Sequence, residues 1–506
     1  MIAPLKLTHT IENTTPLPPG WLRFRETQPL DDRSPASGLL CAGPSRALHK
    51  SLLDTVNQAK EVVLLASFLL ADKQLMDALL RAVGRGVRVY ALNSSEQRLS
   101  RATEADGDFD QRMIAEHKAM LDELAGKVLL RSAEHFHAKF LVTDPRGETQ
   151  GWISTANFNR ALVEGVELGV ALTRDEARAL ATRFNHAFWC EAERELAEKG
   201  RLAAVGKPPA ELPPPPGDIP ATAKICTALR DAVNGLIVRA KKELIVSSYG
   251  LDNSHAAVLS LAEAAKKGVR VTLLTRPRPA CKAAIRLLRE AGVTVLAHEK
   301  LHAKAIWADG HGLVMTANLA AEGLDTGFEV GVGLTGERAE SLHGILRDWI
   351  ARFPWRFETG AVISSEASEF CPLEQTIKDG IQNIVEERVE KLPPIVARDA
   401  LMLNDAKQPD FTKIAQSNGK VLARRIKVEW EVRPPQLPAN AKERKQERTT
   451  TKPGKDGIPV DSKELVGYEP PVYQAGNDSF VLLQREEDRE AARRLAAQLK
   501  AHVVVK

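Results

Sequence analysis

Paired cysteines are missing from this 506-residue chain: its five, Cys41, Cys190, Cys226, Cys281 and Cys371, are scattered, with no C-x-x-C spacing. They supply neither a disulfide framework nor a zinc site, and they suit a reducing compartment. Long apolar runs are also missing, and "MIAPLKLTHTIENTTPLPPG" at the start has no apolar h-region. No integral membrane segment and no cleaved leader are therefore expected, and the cytoplasm is the expected location. Nor is there an excess of one charge, since 70 Lys and Arg face 66 Asp and Glu, a net +4. Such a chain has no global attraction for a polyanion, so a nucleic acid would have to meet a local basic patch. Glycine-rich phosphate loops and H-E-x-x-H are absent as well. No metal and no other cofactor is expected.

What the chain does have is ordinary globular composition, 43% hydrophobic and 27% charged, at a length that fits about three domains. It also has internal repetition. "AKEVVLLASFLLADKQLMDALLRAVGRGVRVYALNSS" begins at Ala59 and "AKKELIVSSYGLDNSHAAVLSLAEAAKKGVRVTLLTRP" at Ala240. Each reads as a buried strand, an amphipathic helix and a second strand opening with G-V-R-V, the texture of an α/β unit with parallel strands. "HAKFLVTD" at 137–144 then matches "HAKAIWAD" at 302–309, and both copies close with T-A-N and E-x-G-V. G-V-R-V starts at Gly86 and Gly268, so the first copy holds about 17 extra residues before its H-A-K, in an insertion that reads as a solvated excursion or a substrate lid.

The expected division is an N-terminal extension (1–38), a first lobe (39–205), a proline-rich spacer (206–222), a second lobe (223–358) and a different C-terminal region (359–506). In that last region "LEQTIKDGIQNIVEERVEKL" predicts an amphipathic helix and "KVLARRIKVEWEVRPP" a strand. The stretch 440–457 predicts a basic, flexible loop able to meet nucleic-acid phosphates, and the final segment predicts strand, helix, strand.

The repeated polar residues carry the chemistry. An H-x-[K/R]-x4-[D/E] pattern is expected by chance about 0.2 times in this composition, so one match means little and two in register mean much more. Side chains alternate along a strand, so His137 and Lys139 share a face, as do His302 and Lys304. Thr155 and Asn157 share a face too, as do Thr316 and Asn318, whereas Asp144 and Asp309 have the opposite parity and are expected to brace the strand end. Each unit can then aim an imidazole, an ammonium and a carboxamide at one point. Two such cations close together are tolerated where an anion such as phosphate binds. His49, His135 and His298 are expected at the surface or at strand edges.

H-x-K-x4-D followed by a small-residue strand ending in Asn resembles the motif of the phospholipase D superfamily, over roughly residues 40 to 357. Ser154-Thr155 and Met315-Thr316 stand where that motif has Gly-Ser. The resemblance implies a fold of two similar α/β/α lobes related by a pseudo-twofold axis, to which a smaller C-terminal α+β region is added. It implies one shared site in which His137 is the nucleophile and His302 the acid and base. Lys139, Lys304, Asn157 and Asn318 would hold the phosphoryl oxygens, and Glu167 and Glu329 would accept a hydrogen bond from an imidazole. The H-A-K strands and T-A-N turns resemble nuclease-type bacterial members, some of which defend against foreign DNA. The expected partners are therefore nucleic acid as substrate and further proteins of a multi-component system. Lipid phosphodiester chemistry and a non-catalytic binding module stay open.

Overall fold

Six strands in each half of the computed structural model repeat one order. The structure describes residues 5–14, 20–23, 25, 27–30, 32, 37–95, 99, 111–206, 219–223, 226–358, 383–397, 400–402, 420–433, 437–453 and 459–505. In the first half these strands are β1 (Val62–Ser67), β2 (Arg88–Ser94), β3 (Leu129–Ala133), β4 (Phe140–Thr143), β5 (Gln150–Ser154) and β6 (Leu168–Ala171). In the second they are β7 (Glu243–Ser247), β8 (Arg270–Thr275), β9 (Thr294–Ala297), β10 (Ala305–Ala308), β11 (His311–Met315) and β12 (Glu329–Leu334). The sheets run β3-β2-β1-β4-β5-β6 and β9-β8-β7-β10-β11-β12, with the first three of each parallel and the rest antiparallel. Each sheet is extended at its edges; Gly20–Arg23, Trp355–Glu358 and Ala400–Met402 join the second.

Sequence explains the layering. Val62–Ser67 is an apolar, β-branched run buried almost throughout, as a strand covered on both faces requires. Helices α1 (Ala47–Gln58) and α2 (Lys73–Gly84) cover the outer face of the first sheet, and Asp72 caps α2 by accepting from Leu75 N at 2.8 Å. α3 (Gln111–Leu124) follows the first-copy insertion; residues 96–98 and 100–110 of that insertion lie outside the described residues. α4 (Arg174–His186) starts at a Thr173–Glu176 capping box. The second lobe repeats the plan with α5 (Ala228–Arg239), α6 (Ala256–Lys266), α7 (Lys282–Glu290) and α8 (Gly336–Arg352).

One hydrophobic core joins the two lobes. Phe140, Ile153 and Phe184 of the first belong to the same buried cluster as Trp307, Leu342 and Trp349 of the second. Burying each such side chain contributes roughly 1.5–3 kcal/mol, so the lobes have a strong reason to stay together. Arg338 of α8 adds a charged tie, donating to Glu176 at 2.9 Å and to the Ala171 carbonyl at 3.1 Å.

Three expectations need correction. His49 and His298 are buried, not superficial: His49 Nε2 lies 2.9 Å from Asp72 Oδ2, and His298 Nδ1 accepts from Lys300 N at 3.1 Å. Only His135 is exposed as expected. The helix expected in 373–392 is instead, from 383, part of the strand Asn383–Ala397, paired with Lys420–Arg433; residues 373–382 lie outside the described residues. Long cross-strand pairing outweighs a helical spacing of apolar residues here. The basic stretch 440–457 is a strand over most of its length: β13 (Lys442–Pro453) pairs with β14 (Pro459–Ala475), while 454–458 are outside the described residues. Its β-branched Thr449–Thr451 run suits a strand, and Lys452 and Lys463 are matched by Glu464 at 2.6 Å and Glu447 at 3.2 Å.

β14 continues to β15 (Asp478–Leu483), and α9 (Arg489–Leu499) leads to β16 (His502–Val505), as the final segment predicts. This four-stranded sheet with its helix lies in a compact unit formed by Met1–Pro16, Ala361–Ala397 and Gly419–Lys506. The two lobes make up the other unit, Leu17–Gly360 with Arg398–Asn418. Most of the proline-rich spacer, residues 207–218, lies outside the described residues. Among the described residues no helix is long and apolar enough to cross a membrane.

Candidate active site

The two H-A-K segments are not inside strands; they are the extended lead-ins to β4 and β10. There the backbone leaves its own sheet and bonds to the other lobe. His137 N donates to Phe328 O at 3.1 Å, and His302 N donates to Val166 O at 3.1 Å. Phe328 N and Val166 N return the bonds to His135 O and Lys300 O. Phe136 stacks on Phe328 with centroids 4.9 Å apart. These exchanges bring each imidazole to the residue that follows the other lobe's bridging position.

That residue is a glutamate. His137 Nδ1 lies 2.6 Å from Glu329 Oε1, and His302 Nδ1 lies 2.7 Å from Glu167 Oε1. Each carboxylate's second oxygen accepts a hydroxyl from its own lobe, Thr316 to Glu329 at 2.5 Å and Thr155 to Glu167 at 2.6 Å. Both glutamates are almost wholly buried, while the imidazoles keep 15% and 17% of their side-chain surface. With Nδ1 turned to a carboxylate, Nε2 is the ring nitrogen left to meet a substrate.

Lys139 and Lys304 are completely buried. Lys139 Nζ lies 3.2 Å from His137 Nε2 and Lys304 Nζ 3.0 Å from His302 Nε2, and each also donates to the carbonyl of its own histidine. The two ammonium groups and two carboxylates largely offset one another. Burial would raise the Glu329 carboxyl, but His137, its hydrogen bond and Lys139 outweigh burial and hold it down at about 2. The same contest, with His302 and Lys304 as the winners, lowers Glu167. His302 is pushed below the usual imidazole value, first by burial and then by the lysines, against the pull of Glu167.

Asn318 Oδ1 accepts from Gly250 N at 3.1 Å, which fixes its amide; the buried Asn157 Oδ1 has no partner among the described residues. The aspartates stand apart from this cluster. Asp144 and Asp309 follow the far ends of β4 and β10, seven residues beyond their histidines and so roughly 20 Å away along the chain. Asp144 accepts from Lys60, Glu61 and Val62 N at 2.8–2.9 Å, and Asp309 from Lys241, Lys242 and Glu243 N. Both have positive φ, 47° and 44°, so each makes a tight turn whose carboxylate ties the start of β1 or β7 to the end of its neighbour. The motif's Asp thus ties strand ends together, although the unbroken strand assumed for its parity is not there: His137 and Lys139 precede β4 and Asp144 follows it.

Two rings were not expected at the site. Phe68 meets the His137 ring edge-on at 4.8 Å, and Tyr249 meets His302 at 4.7 Å. They follow Ser67 and Ser248, whose hydroxyls accept from Phe158 N and Leu319 N and so lock the T-A-N turns to the first strand of each lobe. The paired S-F and S-Y in the two repeat copies were the available signal. A cavity of about 220 Å³ opens beside His302. Asn157, Tyr249 and Met113 contribute to its walls, together with Arg160, Arg276 and Lys300.

No curated protein matches the sequence. Among solved structures, phosphatidylserine synthase from Haemophilus influenzae Rd KW20 is 13% identical, with a TM-score of 0.45 over 64% of this chain and 88% of that one. Polyphosphate kinase from Porphyromonas gingivalis is 15% identical, with a TM-score of 0.43 over 64% of this chain and 50% of its own. Nuc from Salmonella typhimurium, a phospholipase D family member, is 16% identical, with a TM-score of 0.25 over 33% of this chain and 98% of its own. A family model described as "Cardiolipin synthase, PLD-like domain" matches residues 52–189 and 233–349, which together make half of the chain and carry both H-A-K segments. With both motifs inside that match and one site built from them, the chain belongs to the phospholipase D superfamily.

Proposed function

We propose that the chain is a metal-independent phosphodiesterase that cleaves nucleic acid through a phosphohistidine intermediate. The observation that carries this reading is the pair of imidazoles, each braced at Nδ1 by the opposite lobe's buried glutamate and each beside a buried lysine. His137 attacks phosphorus with Nε2, and the P–O bond to the leaving group breaks as His302 gives that oxygen its proton. His302 then takes a proton from water, whose oxygen displaces His137 and releases a phosphomonoester. Lys139 and Lys304 stabilise the charge that develops on the non-bridging oxygens, with Asn157 and Asn318 beside them. Cationic side chains at the mouth of the site favour a polyanionic chain as substrate. Cytoplasmic action on foreign DNA, together with partner proteins, is the biological setting we propose.

The test offers purified protein single-stranded DNA, duplex DNA, RNA and phospholipid vesicles in parallel, with EDTA present. Cleavage of a nucleic acid that His137→Asn abolishes is the expected result. Release of lipid headgroups alone would replace nuclease by phosphatidyl chemistry, the alternative that the name of the family model brings forward. Binding without any turnover would make this a recognition module.

A further inference from the structure

The two halves of the site are alike in the residues that do chemistry and unlike in the residues around them. Repeat register makes the difference legible. β1 and β2 pair through Val63 and Val89, and β7 and β8 pair through Leu244 and Val271. Asn93 and Thr275 correspond, since each side chain donates to the carbonyl of Ser67 or Ser248. The next residue is Ser94 in the first lobe and Arg276 in the second. Two residues before each histidine stand His135 and Lys300, and three residues after Asn157 and Asn318 stand Arg160 and Ala321. Three positions around the His302 side are thus Arg160, Arg276 and Lys300, and their mirror positions on the His137 side are Ala321, Ser94 and His135. On that second side Leu99 and Met113, the latter also reaching the His302 cavity, belong to an apolar cluster with Phe68.

We infer that the cavity beside His302 is an anion subsite. It takes the phosphate next to the scissile one, on the leaving-group side, and Arg160, Arg276 and Lys300 recognise it. This deepens the phosphodiesterase reading above and rests on it for which side is the leaving group. Among the described residues that line the cavity, Glu164 is the one acid not engaged with a histidine, against three cations, an excess that favours an anion. A second observation points to a ligand that brings a donor beside its anion. Asn157 is 5% exposed and lines the cavity, and its buried Oδ1, a hydrogen-bond acceptor, has no partner among the described residues. Such an acceptor suits a sugar hydroxyl and not a phosphate oxygen. At about 220 Å³ the space suits a phosphate and part of a sugar, and its polar lining suits a nucleotide better than an acyl chain. The substrate is therefore a chain with a phosphate on each side of a nucleoside, held in one direction.

The experiment measures binding, so it does not depend on turnover. The His137→Asn protein is titrated calorimetrically, at low salt, with thymidine dinucleotides carrying no end phosphate, a 5′ phosphate or a 3′ phosphate. We expect one end phosphate, and only one, to tighten binding by about tenfold, the scale of one charge-assisted hydrogen-bonded contact. Arg276→Gln and Lys300→Gln should each remove part of that gain. The double variant should remove it while the affinity for the unphosphorylated dinucleotide stays the same. No gain from either end phosphate, or a gain that survives the double variant, overturns the subsite. Phosphatidylglycerol micelles that outcompete the dinucleotides through the same two residues overturn the nucleotide assignment. Hydrolysis of bis(p-nitrophenyl) phosphate by the wild-type protein, which His137→Asn should lose, reports separately on the phosphodiesterase reading.

Discussion

Glu329 and His137 lie 192 positions apart in sequence and 2.6 Å apart in space, and they belong to different lobes. Glu167 and His302 repeat the relationship in the other direction. His137 and His302 each take their carboxylate from the other lobe, so the site exists only when the lobes are packed together. The shared core and the backbone bonds through Val166 and Phe328 are what keep each pair within hydrogen-bond reach.

Crossed bracing predicts crossed phenotypes. Glu329→Gln in the second lobe should impair the step that needs His137, and Glu167→Gln in the first the step that needs His302. Replacing His302 should cost about 10²–10⁴ in kcat, and replacing the nucleophile His137 should abolish turnover. The glutamine variants should lose less and should also change the pH profile, which a merely structural residue would leave in place. Steady-state rates with bis(p-nitrophenyl) phosphate give the answer.

The acid limb of stability follows from Glu329. Its carboxyl is held at about 2 in the folded protein, below its ordinary value of 4.5. A lowered carboxyl stabilises the fold above its unfolded value, so this contribution is complete above about pH 4.5 and disappears as pH falls towards 2. Urea unfolding between pH 2 and 7 should show that loss, and Glu329→Gln should flatten it. An unchanged slope in the variant would assign the acid sensitivity to other groups.

The pH dependence of turnover has its own sign. His302 lies below 6.5, so as a proton donor it is lost when pH rises through that lower value. In kcat/KM this limb should fall below pH 6.5. In kcat it should move upward, because a bound phosphodiester anion stabilises the imidazolium. Glu167→Gln removes an attraction that favours the charged ring and should move the kcat/KM limb further down; an upward shift would contradict the assignment.

Asp144 and Asp309 separate stability from chemistry. Asp144→Ala leaves three backbone N–H groups without their carboxylate and should destabilise the protein by about 2–4 kcal/mol. The rate per folded molecule should stay within about twofold, since the turn lies at the end of β4 remote from His137. Chemical denaturation and an active-site titration separate the two effects.

Much of this site was legible in the sequence because the chain carries it twice. His137 with Lys139, Thr155 with Asn157, and their counterparts stand out once the copies are laid together. The exchange of glutamates was not legible. E-x-G-V says that a carboxylate begins a strand, but its partner depends on how two sheet ends meet, which no local pattern encodes. Phe68 and Tyr249 were hidden for a different reason: an aromatic at the end of a buried strand reads as ordinary core. Outside the repeats a single spacing had to decide, and at 383–392 the apolar periodicity suggested a helix where a fifteen-residue strand pairs along its length.

The central claim is that two imidazoles from two lobes share one covalent reaction, and mass spectrometry after an alkaline denaturing quench, which preserves a P–N bond, tests it most directly. Mixed with an activated phosphodiester in EDTA, the His302→Asn variant should accumulate a phosphoryl adduct on His137, the wild-type should show it transiently, and His137→Asn should show none. Turnover by wild-type protein with no adduct on either histidine, or turnover that requires added magnesium, would contradict the account.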